Sequence, residues 1–253
     1  LYSSAASDVY KRQVGWVIVM QDITPLHELD HLRTEWVAAV SHDLKNPIQV
    51  VQLGAAMLEM DGPLNEVQRD RVSLILKSAL QLSDLVTNVL DLARMEVGPA
   101  LSHVTLNIND VVMNALTNMM QLADEKGHVL NFDLAPDLPL IIGDEVLLGR
   151  VVINLLSNAI KYTDDGGTIS VRTFLHDENT TQIDVTDTGI GISPDAQNRL
   201  FERFYRAPGA VGDGSGLGLS IVKTIVEKHN GSIHVTSRPG QGSTFSVRVP
   251  CAP

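Results

Sequence analysis

Apolar side chains recur at helical spacing over two long stretches in the N-terminal part of the chain. The first stretch begins near Pro25, which suits a first helical turn, and runs to about Met60. Pro47 lies inside it, where it removes one backbone hydrogen bond and should kink the helix. Residues 61–65 form a turn signal, and the second stretch ends near Gly98-Pro99. The pattern predicts a helical hairpin. Its wide apolar stripe predicts that two hairpins pair into a four-helix bundle, so we expect a homodimer.

The pattern changes from Leu101 onward, where short apolar runs are mixed with shorter helical stretches. We predict strands at 101–108, 128–134, 139–142, 168–175, 181–186, 232–237 and 243–249. We predict helices at 109–126, 144–160, 195–200 and 216–229. Helices and strands that do not alternate strictly indicate an α+β two-layer sandwich, one sheet with helices on one face. The predicted fold class is therefore multi-domain: an all-α hairpin followed by an α+β domain.

Composition excludes several functions. The chain has 253 residues, 44% of them hydrophobic, which suits a globular protein with a substantial core. A formal charge of −11 argues against a nucleic-acid partner. The single cysteine, Cys251, permits no internal disulfide and fits a reducing cytoplasm.

The longest apolar run, Trp16 to Met20, is too short to span a bilayer, so we expect a cytoplasmic fragment without a membrane segment. Because the N-terminus looks truncated, the full-length parent can still be membrane-anchored.

The first residues do not fit the rest of the chain. Asp8–Gln13 resembles the translation of a transposase adaptor from sequencing libraries, so we expect 1–13 to be a non-native leader. Residues 14–24 read as a strand with an Asp-Ile-Thr exit, which resembles the end of a PAS sensor domain. We expect the two main domains to cover 25–98 and 99–253.

A histidine lies within the first helical stretch, in the octapeptide Ser41–Ile48. The apolar residues around His42 place its imidazole on the other side of the helix, and Asp43 is its immediate neighbour. Neutral imidazole is available near pH 7, and a carboxylate can fix its tautomer, so the pair can form a nucleophile. A solvated surface histidine is the alternative for the pair taken alone.

Polar side chains gather at the end of the helix predicted at 144–160. Asn154 and Asn158 are four residues apart and share one face, and Lys161 follows three residues later. Two amides beside an ammonium group can hold a hydrated Mg²⁺ and a triphosphate, because this hard cation prefers oxygen ligands. A polar helix face is the alternative interpretation.

Three glycine-rich loops follow. Asp187-Thr188-Gly189-Ile190-Gly191 comes directly after a strand, and its glycines permit close approach of a ligand, while Asp187 can accept a hydrogen bond from an exocyclic amine. Residues 212–220 form a second glycine loop that opens a helix, where backbone amides can cradle phosphates. The third loop, 240–245, is most simply a hairpin turn.

The order of these motifs, together with Phe201-Glu202-Arg203-Phe204-Tyr205, resembles that of a sensor histidine kinase of a two-component system. The resemblance runs from about Leu26 to Pro250. It implies a dimerisation and phosphoacceptor domain at 25–98 and a Bergerat-type (GHKL) ATP-binding domain at 99–253. It also implies ATP and Mg²⁺ as cofactors and, as partners, a second copy of the chain and the receiver domain of a response regulator.

The resemblance assigns catalysis to the first helix. It implies that His42 is the phosphoacceptor and that Asp43 is its acid/base and orienting partner. In the family, an acid followed three residues later by Asn or Thr can place water for dephosphorylation of the regulator. Asp43 and Asn46 fit that spacing, so phosphatase activity is a further hypothesis.

The resemblance also assigns a nucleotide site. The residues it implies are Asn154 and Asn158 for magnesium and phosphate, Lys161 and Tyr162 for the nucleotide pocket, Asp187 with Gly189 and Gly191 for adenine, Gly214, Gly216, Leu217 and Gly218 for the lid and the phosphates, and Arg203 for the γ-phosphate.

Related ATPases of this fold carry a glutamate one helical turn before the metal-binding asparagine, where this chain has Asn154. An amide cannot take a proton from water at neutral pH, so general-base hydrolysis loses its base. We therefore expect His42 to receive the phosphoryl group before it passes to an aspartate of the regulator. A dimeric scaffold without activity and a free ATPase are the alternatives.

Overall fold

The computed structural model describes residues 44–58, 62, 64–97, 104–207 and 215–252. The leader predicted at 1–13, the sensor-domain strand predicted at 14–24, and the site residues His42, Asp43 and Gly214 lie outside the described residues.

Two helices form the N-terminal part of the described chain. Helix α1 covers residues 44–58, and helix α2 covers Glu66–Val97. A capping box starts α2. The Asn65 side chain accepts a hydrogen bond from Gln68 N at 2.9 Å, and Asn65 N donates to Gln68 Oε1 at 3.0 Å. The turn signal at 61–65 thus becomes the start of the second helix.

Each of these helices has two buried positions that are seven residues apart. They are Ile48 and Ala55 in α1 and Val72 and Ala79 in α2, and Leu90 is also buried further along α2. That spacing is typical of the seam between two packed helices. Large apolar side chains outside this seam are exposed: Leu44, Val50, Val51, Leu53, Met57, Leu58, Val67, Leu74, Ile75, Leu80 and Leu82.

The C-terminal part is a mixed α/β domain, which confirms the predicted fold class. Its five-stranded sheet has the order β2-β4-β5-β7-β6, with β2 parallel to β4 and the other neighbours antiparallel. The strands are β1 Val104–Leu106, β2 Val129–Leu134, β3 Ile141–Gly143, β4 Thr168–Asp177, β5 Thr180–Asp187, β6 Ser232–Ser237 and β7 Ser243–Pro250. The helices are α3 Ile108–Glu125, α4 Glu145–Tyr162, α5 Pro194–Gln197 and α6 Gly218–Lys228. The prediction of a single sheet was wrong, because β1 and β3 form a separate antiparallel pair.

One face of the large sheet packs on the helices. Burial alternates strictly along β7, where Phe245, Val247 and Val249 are buried and their neighbours are half-exposed. These side chains share one core with the apolar residues of α3, α4 and α6. None of the described helices is long and apolar enough to cross a membrane.

The start of α3 differs from the prediction. We expected a strand to 108 and a helix from 109, but the helix starts at Ile108, and Asn107 caps it by accepting a hydrogen bond from Asn109 N at 2.9 Å. The Asn109 side chain instead donates to Ala135 O at 2.8 Å and accepts from Thr173 Oγ1 at 2.7 Å. These bonds tie the first turn of α3 to the large sheet.

The start of α4 confirms the prediction that Asp144 opens this helix. The Asp144 side chain accepts from Leu147 N at 3.1 Å. The backbone N–H of Asp144 donates to Nε2 of the buried His229 at 2.9 Å, so Nδ1 of that imidazole carries the proton and donates to Ile225 O at 2.8 Å. The end of α6 is thereby fixed to the beginning of α4.

Candidate functional site

A cavity of about 970 Å³ opens between α4, α6, the loop after β5 and the first residues of β7. Most of the predicted nucleotide residues line it: Asn154, Asn158, Lys161, Tyr162, Asp187, Gly191, Gly216 and Gly218. The three sequence motifs therefore meet in one space, although long stretches of chain separate them.

Helix α4 presents the two asparagines to the cavity. Asn154 Nδ2 donates to Arg150 O at 3.0 Å, which turns the amide oxygen toward the start of α6. A Cβ added at Gly218 would lie 3.1 Å from Asn154 Oδ1. Glycine at 218 thus leaves room beside that oxygen, and Asn158 lies one turn further along the same face.

The end of α4 supplies a cation and an aromatic ring. Lys161 Nζ lies 5.0 Å from the centroid of the Tyr162 ring. The carbonyl oxygen of Tyr162 accepts a hydrogen bond from Ile190 N at 3.1 Å. A side chain at Gly189 would collide with this carbonyl, so glycine lets the loop after β5 lie against the end of α4.

Asp187 ends β5 on the buried side and is 6% exposed. Its Oδ1 accepts hydrogen bonds from Gly189 N at 2.9 Å and Ser243 N at 3.2 Å. Burial raises the pKa of the Asp187 carboxyl, and the two amides act in the opposite direction. Because both amides bind Oδ1, neither of these bonds uses Oδ2.

The third glycine loop contributes to the same site, which the sequence analysis missed. It is the turn between the antiparallel strands β6 and β7, as predicted. However, Ser243 also pairs with Asp187 across β5 and β7, and a side chain at Gly242 would collide with the Asp187 carbonyl. The spacing of this loop resembles an ordinary hairpin turn, so only the strand order reveals its second role.

Other predicted residues lie outside the cavity wall. Gly189 is adjacent to it, Leu217 is fully buried in the core, and Asn46 is exposed on α1. Arg203 is exposed and is not among the lining residues, whereas Arg206 is.

Helix α2 forms a wall of the cavity that the sequence analysis did not predict. The side chains that line it are Ser78, Gln81, Leu82, Leu85 and Asn88. Their pattern along α2 is that of an ordinary helix, so no local signal marks them.

The part of the chain that the structure describes contains no group of three or more His, Cys, Asp or Glu side chains that could hold a metal ion. The residues of α4 that line the cavity and carry a side-chain oxygen are Asn154, Ser157, Asn158 and Tyr162.

Two family models match the chain. Residues 32–98 match the His Kinase A (phospho-acceptor) domain, and residues 143–253 match the histidine kinase-, DNA gyrase B-, and HSP90-like ATPase family.

Curated relatives match almost the whole chain. The sensor-like histidine kinase SenX3 of Mycobacterium tuberculosis is 35% identical over 92% of this chain. Drug sensory protein A of Synechocystis is 36% identical over 91% of it. The chain spans 58% of the first of these proteins and 37% of the second.

Two solved structures also resemble this chain. Full-length ShkA in complex with AMPPNP has a TM-score of 0.69 and 32% identity, covering 87% of this chain and 46% of that one. The mycobacterial sensor histidine kinase MprB has a TM-score of 0.53 and 32% identity, covering 60% of this chain and 99% of that one. With both family models in this order and these relatives, the chain belongs to the sensor histidine kinases.

Proposed function

We propose that this protein binds ATP in the cavity between α4 and α6, transfers the γ-phosphoryl group to His42, and then passes it to an aspartate of a response regulator. The observation that carries this proposal is the convergence of three motifs in one cavity with helix α2 of the hairpin in its wall. Site and acceptor domain are thus adjacent.

The position of the α2 wall suits transfer to His42. Gly62 lies in the turn of the hairpin. His42 comes 20 residues before Gly62, and Leu82 comes 20 residues after it. Positions equidistant from the turn of an antiparallel hairpin are level with each other. The cavity wall contributed by α2 is centred near Leu82, so we expect the acceptor at the level of the nucleotide.

Asp187 suits recognition of adenine. Its Oδ1 is held by two backbone amides, which leaves Oδ2 to accept a hydrogen bond from the exocyclic amine. Gly191 shapes the neighbouring wall, and Tyr162 with Lys161 borders the nucleotide on the α4 side.

The start of α6 suits the phosphates. Leu217 at the N-cap position makes no side-chain capping bond, so the first amides of this helix are not satisfied by a cap. Those amides and the helix dipole favour an anion. Gly216 and Gly218 line this end of the cavity, and Gly214 belongs to the same motif. Arg206, in the wall, is better placed than Arg203 to neutralise the γ-phosphate.

The donor set fits Mg²⁺. The bond from Asn154 Nδ2 to Arg150 O makes the amide oxygen the atom left for a ligand, and Asn158 adds a second amide. Mg²⁺ keeps several waters and accepts few protein ligands, so two amide oxygens are adequate. When bound, the ion would neutralise negative charge on the phosphates.

The acceptor chemistry belongs to the hairpin. Neutral His42 attacks through Nε2 in line with the leaving oxygen. A nitrogen–phosphorus bond forms, the bond from the γ-phosphorus to the bridging oxygen breaks, and ADP leaves with that electron pair. Asp43 accepts a hydrogen bond from Nδ1–H and stabilises the imidazolium that develops. Asn154, the residue one turn before Asn158, cannot take a proton from water. Hydrolysis of ATP therefore lacks a general base at this position, which leaves the phosphoryl group for His42.

The wider assembly follows from the same assignment. We infer a homodimer through the hairpin at 25–98, a catalytic domain at 99–253, a location in the cytoplasm where ATP is available, and phosphatase activity on the regulator through Asn46.

Incubation of the chain with γ-labelled ATP and Mg²⁺ tests the proposed transfer to His42. We expect an acid-labile, base-stable label on the protein that His42→Gln abolishes and that His234→Gln, a change at an exposed histidine on β6, leaves in place. Rapid phosphate release without protein labelling would instead show a free ATPase. Neither label nor release from a chain that still dimerises would show a scaffold.

A further inference from the structure

A hydrogen bond joins the hairpin to the nucleotide domain beside the cavity. Arg150 Nη2 on α4 donates to Asn88 Oδ1 on α2 at 2.8 Å, and the pair is partly buried. One turn earlier on α2, Leu85 packs against the core of the α/β domain. Helix α2 is therefore held against the cavity by a charge-assisted polar contact and an apolar one.

Arg150 is also bound to the site through its backbone. Its carbonyl oxygen accepts the hydrogen bond from Asn154 Nδ2 that orients the Asn154 amide. The same residue thus contacts the hairpin with its guanidinium and the proposed magnesium ligand with its carbonyl. A shift of α4 at Arg150 would move both contacts.

We propose that Asn88 and Arg150 are positioning residues that couple docking of the hairpin to nucleotide binding. This proposal rests on the proposed ATP site. When the hairpin is docked on the nucleotide domain, α2 forms one wall of the nucleotide site. The bound nucleotide in turn stabilises the docked arrangement. Such coupling is reciprocal, so each equilibrium changes the other by the same factor.

Removal of the Asn88 amide isolates this coupling. Asn88→Ala deletes the acceptor and improves the helix propensity of α2, so weaker nucleotide binding cannot be attributed to a weakened helix. Asn88→Asp keeps an acceptor and adds an ion pair with Arg150. Arg150→Met keeps the stem of the side chain but removes the donor, and because Arg150 makes further contacts its effect can be larger.

The affinity of the full chain for AMPPNP, measured by calorimetry in the presence of Mg²⁺, provides the test. We expect Asn88→Ala to weaken binding by about fivefold or more, at the lower end of typical coupling free energies. We expect Asn88→Asp to restore the original affinity and the double variant Asn88→Ala/Arg150→Met to bind no more weakly than Arg150→Met. Ser73→Ala, at an exposed position of α2 away from the cavity, is the control.

Hydrogen exchange gives the second measurement. We expect AMPPNP to slow amide exchange over residues 78–88 of the unchanged chain and not of Asn88→Ala. If Asn88→Ala binds AMPPNP as Ser73→Ala does, or if AMPPNP leaves exchange in α2 unchanged, the coupling is refuted while ATP binding stands. If the unchanged chain does not bind AMPPNP, both the proposed function and this inference are refuted.

Discussion

Asp187 shows how one residue in this site is held in position and tuned. Its Oδ1 is bound by the amides of Gly189, in the loop after β5, and Ser243, at the start of β7, and burial raises the pKa of its carboxyl. The carboxylate is therefore fixed in direction and is easier to protonate than an exposed one. Both properties lead to measurable consequences.

Asp187→Asn should weaken nucleotide binding without unfolding the domain. The new amide can keep an oxygen for the two backbone donors and then turns its NH₂ group toward the exocyclic amine, where two donors face each other. A hydrogen bond to a charged group is worth about 1.5–3 kcal/mol, so we expect about a tenfold to hundredfold loss of affinity. Asp184→Asn, on the same strand but the opposite face, should bind the nucleotide normally; equal losses in both variants would contradict this role.

The raised pKa of Asp187 also predicts a pH dependence of stability. The folded carboxyl keeps its proton to a higher pH than the unfolded one, so between these two pKa values the folded chain binds more protons. The contribution of Asp187 to the free energy of unfolding should therefore fall as pH rises through that interval. Denaturant unfolding of the unchanged chain and of Asp187→Asn across this range checks the sign, because the variant should lose this component of the slope.

At the scale of elements, α4 and α6 are joined by His229. Its imidazole accepts from Asp144 N and donates to Ile225 O, which sets the start of the helix that carries Asn154 and Asn158. His229→Leu would leave the Asp144 N–H without this acceptor, and such a loss costs about 1–3 kcal/mol. We expect a decrease of that size in the free energy of unfolding, with His234→Leu on the exposed face of β6 as the control. Equal stability of the two variants would exclude this function of His229.

The sequence predicts elements well where one residue has one local role. Asp144 is predicted to open α4, and its side chain caps that helix. The turn predicted at 61–65 does precede α2, and the structure adds the capping box that Asn65 forms with Gln68. Where two candidates compete, the pattern fails. Asn107 and Asn109 can both cap α3, and only the contacts of Asn109 with Ala135 and Thr173 in the folded chain decide between them.

The candidate site follows the same rule. The motifs on α4 and after β5 can be found from spacing, because their chemistry is local. Ser243 enters the site only through the pairing of β5 with β7, and Asn88 enters only because α2 lies against α4. These contacts depend on the arrangement of distant elements, so a local pattern contains no signal for them.

At the scale of the whole molecule, the hairpin leaves apolar surface beside its own seam. Val51 lies three residues after Ile48 and four before Ala55, and it is 49% exposed. Ile75 has the same spacing relative to Val72 and Ala79, and it is 43% exposed. Each helix therefore presents an apolar side chain next to the seam, where a second hairpin would complete a four-helix bundle.

A charge at these positions should dissociate the proposed dimer. Val51→Glu or Ile75→Glu would place an unpaired carboxylate in the bundle interior, which is unfavourable because the charge loses its hydration. Val50 is the matched control: it has the same side chain on the same helix, faces away from the seam, and is 69% exposed, so Val50→Glu should leave the dimer intact. Sedimentation velocity across a concentration series measures the difference. If the dimers of Val50→Glu and Val51→Glu dissociate at the same concentration, the apolar surface beside the seam is not the dimer interface.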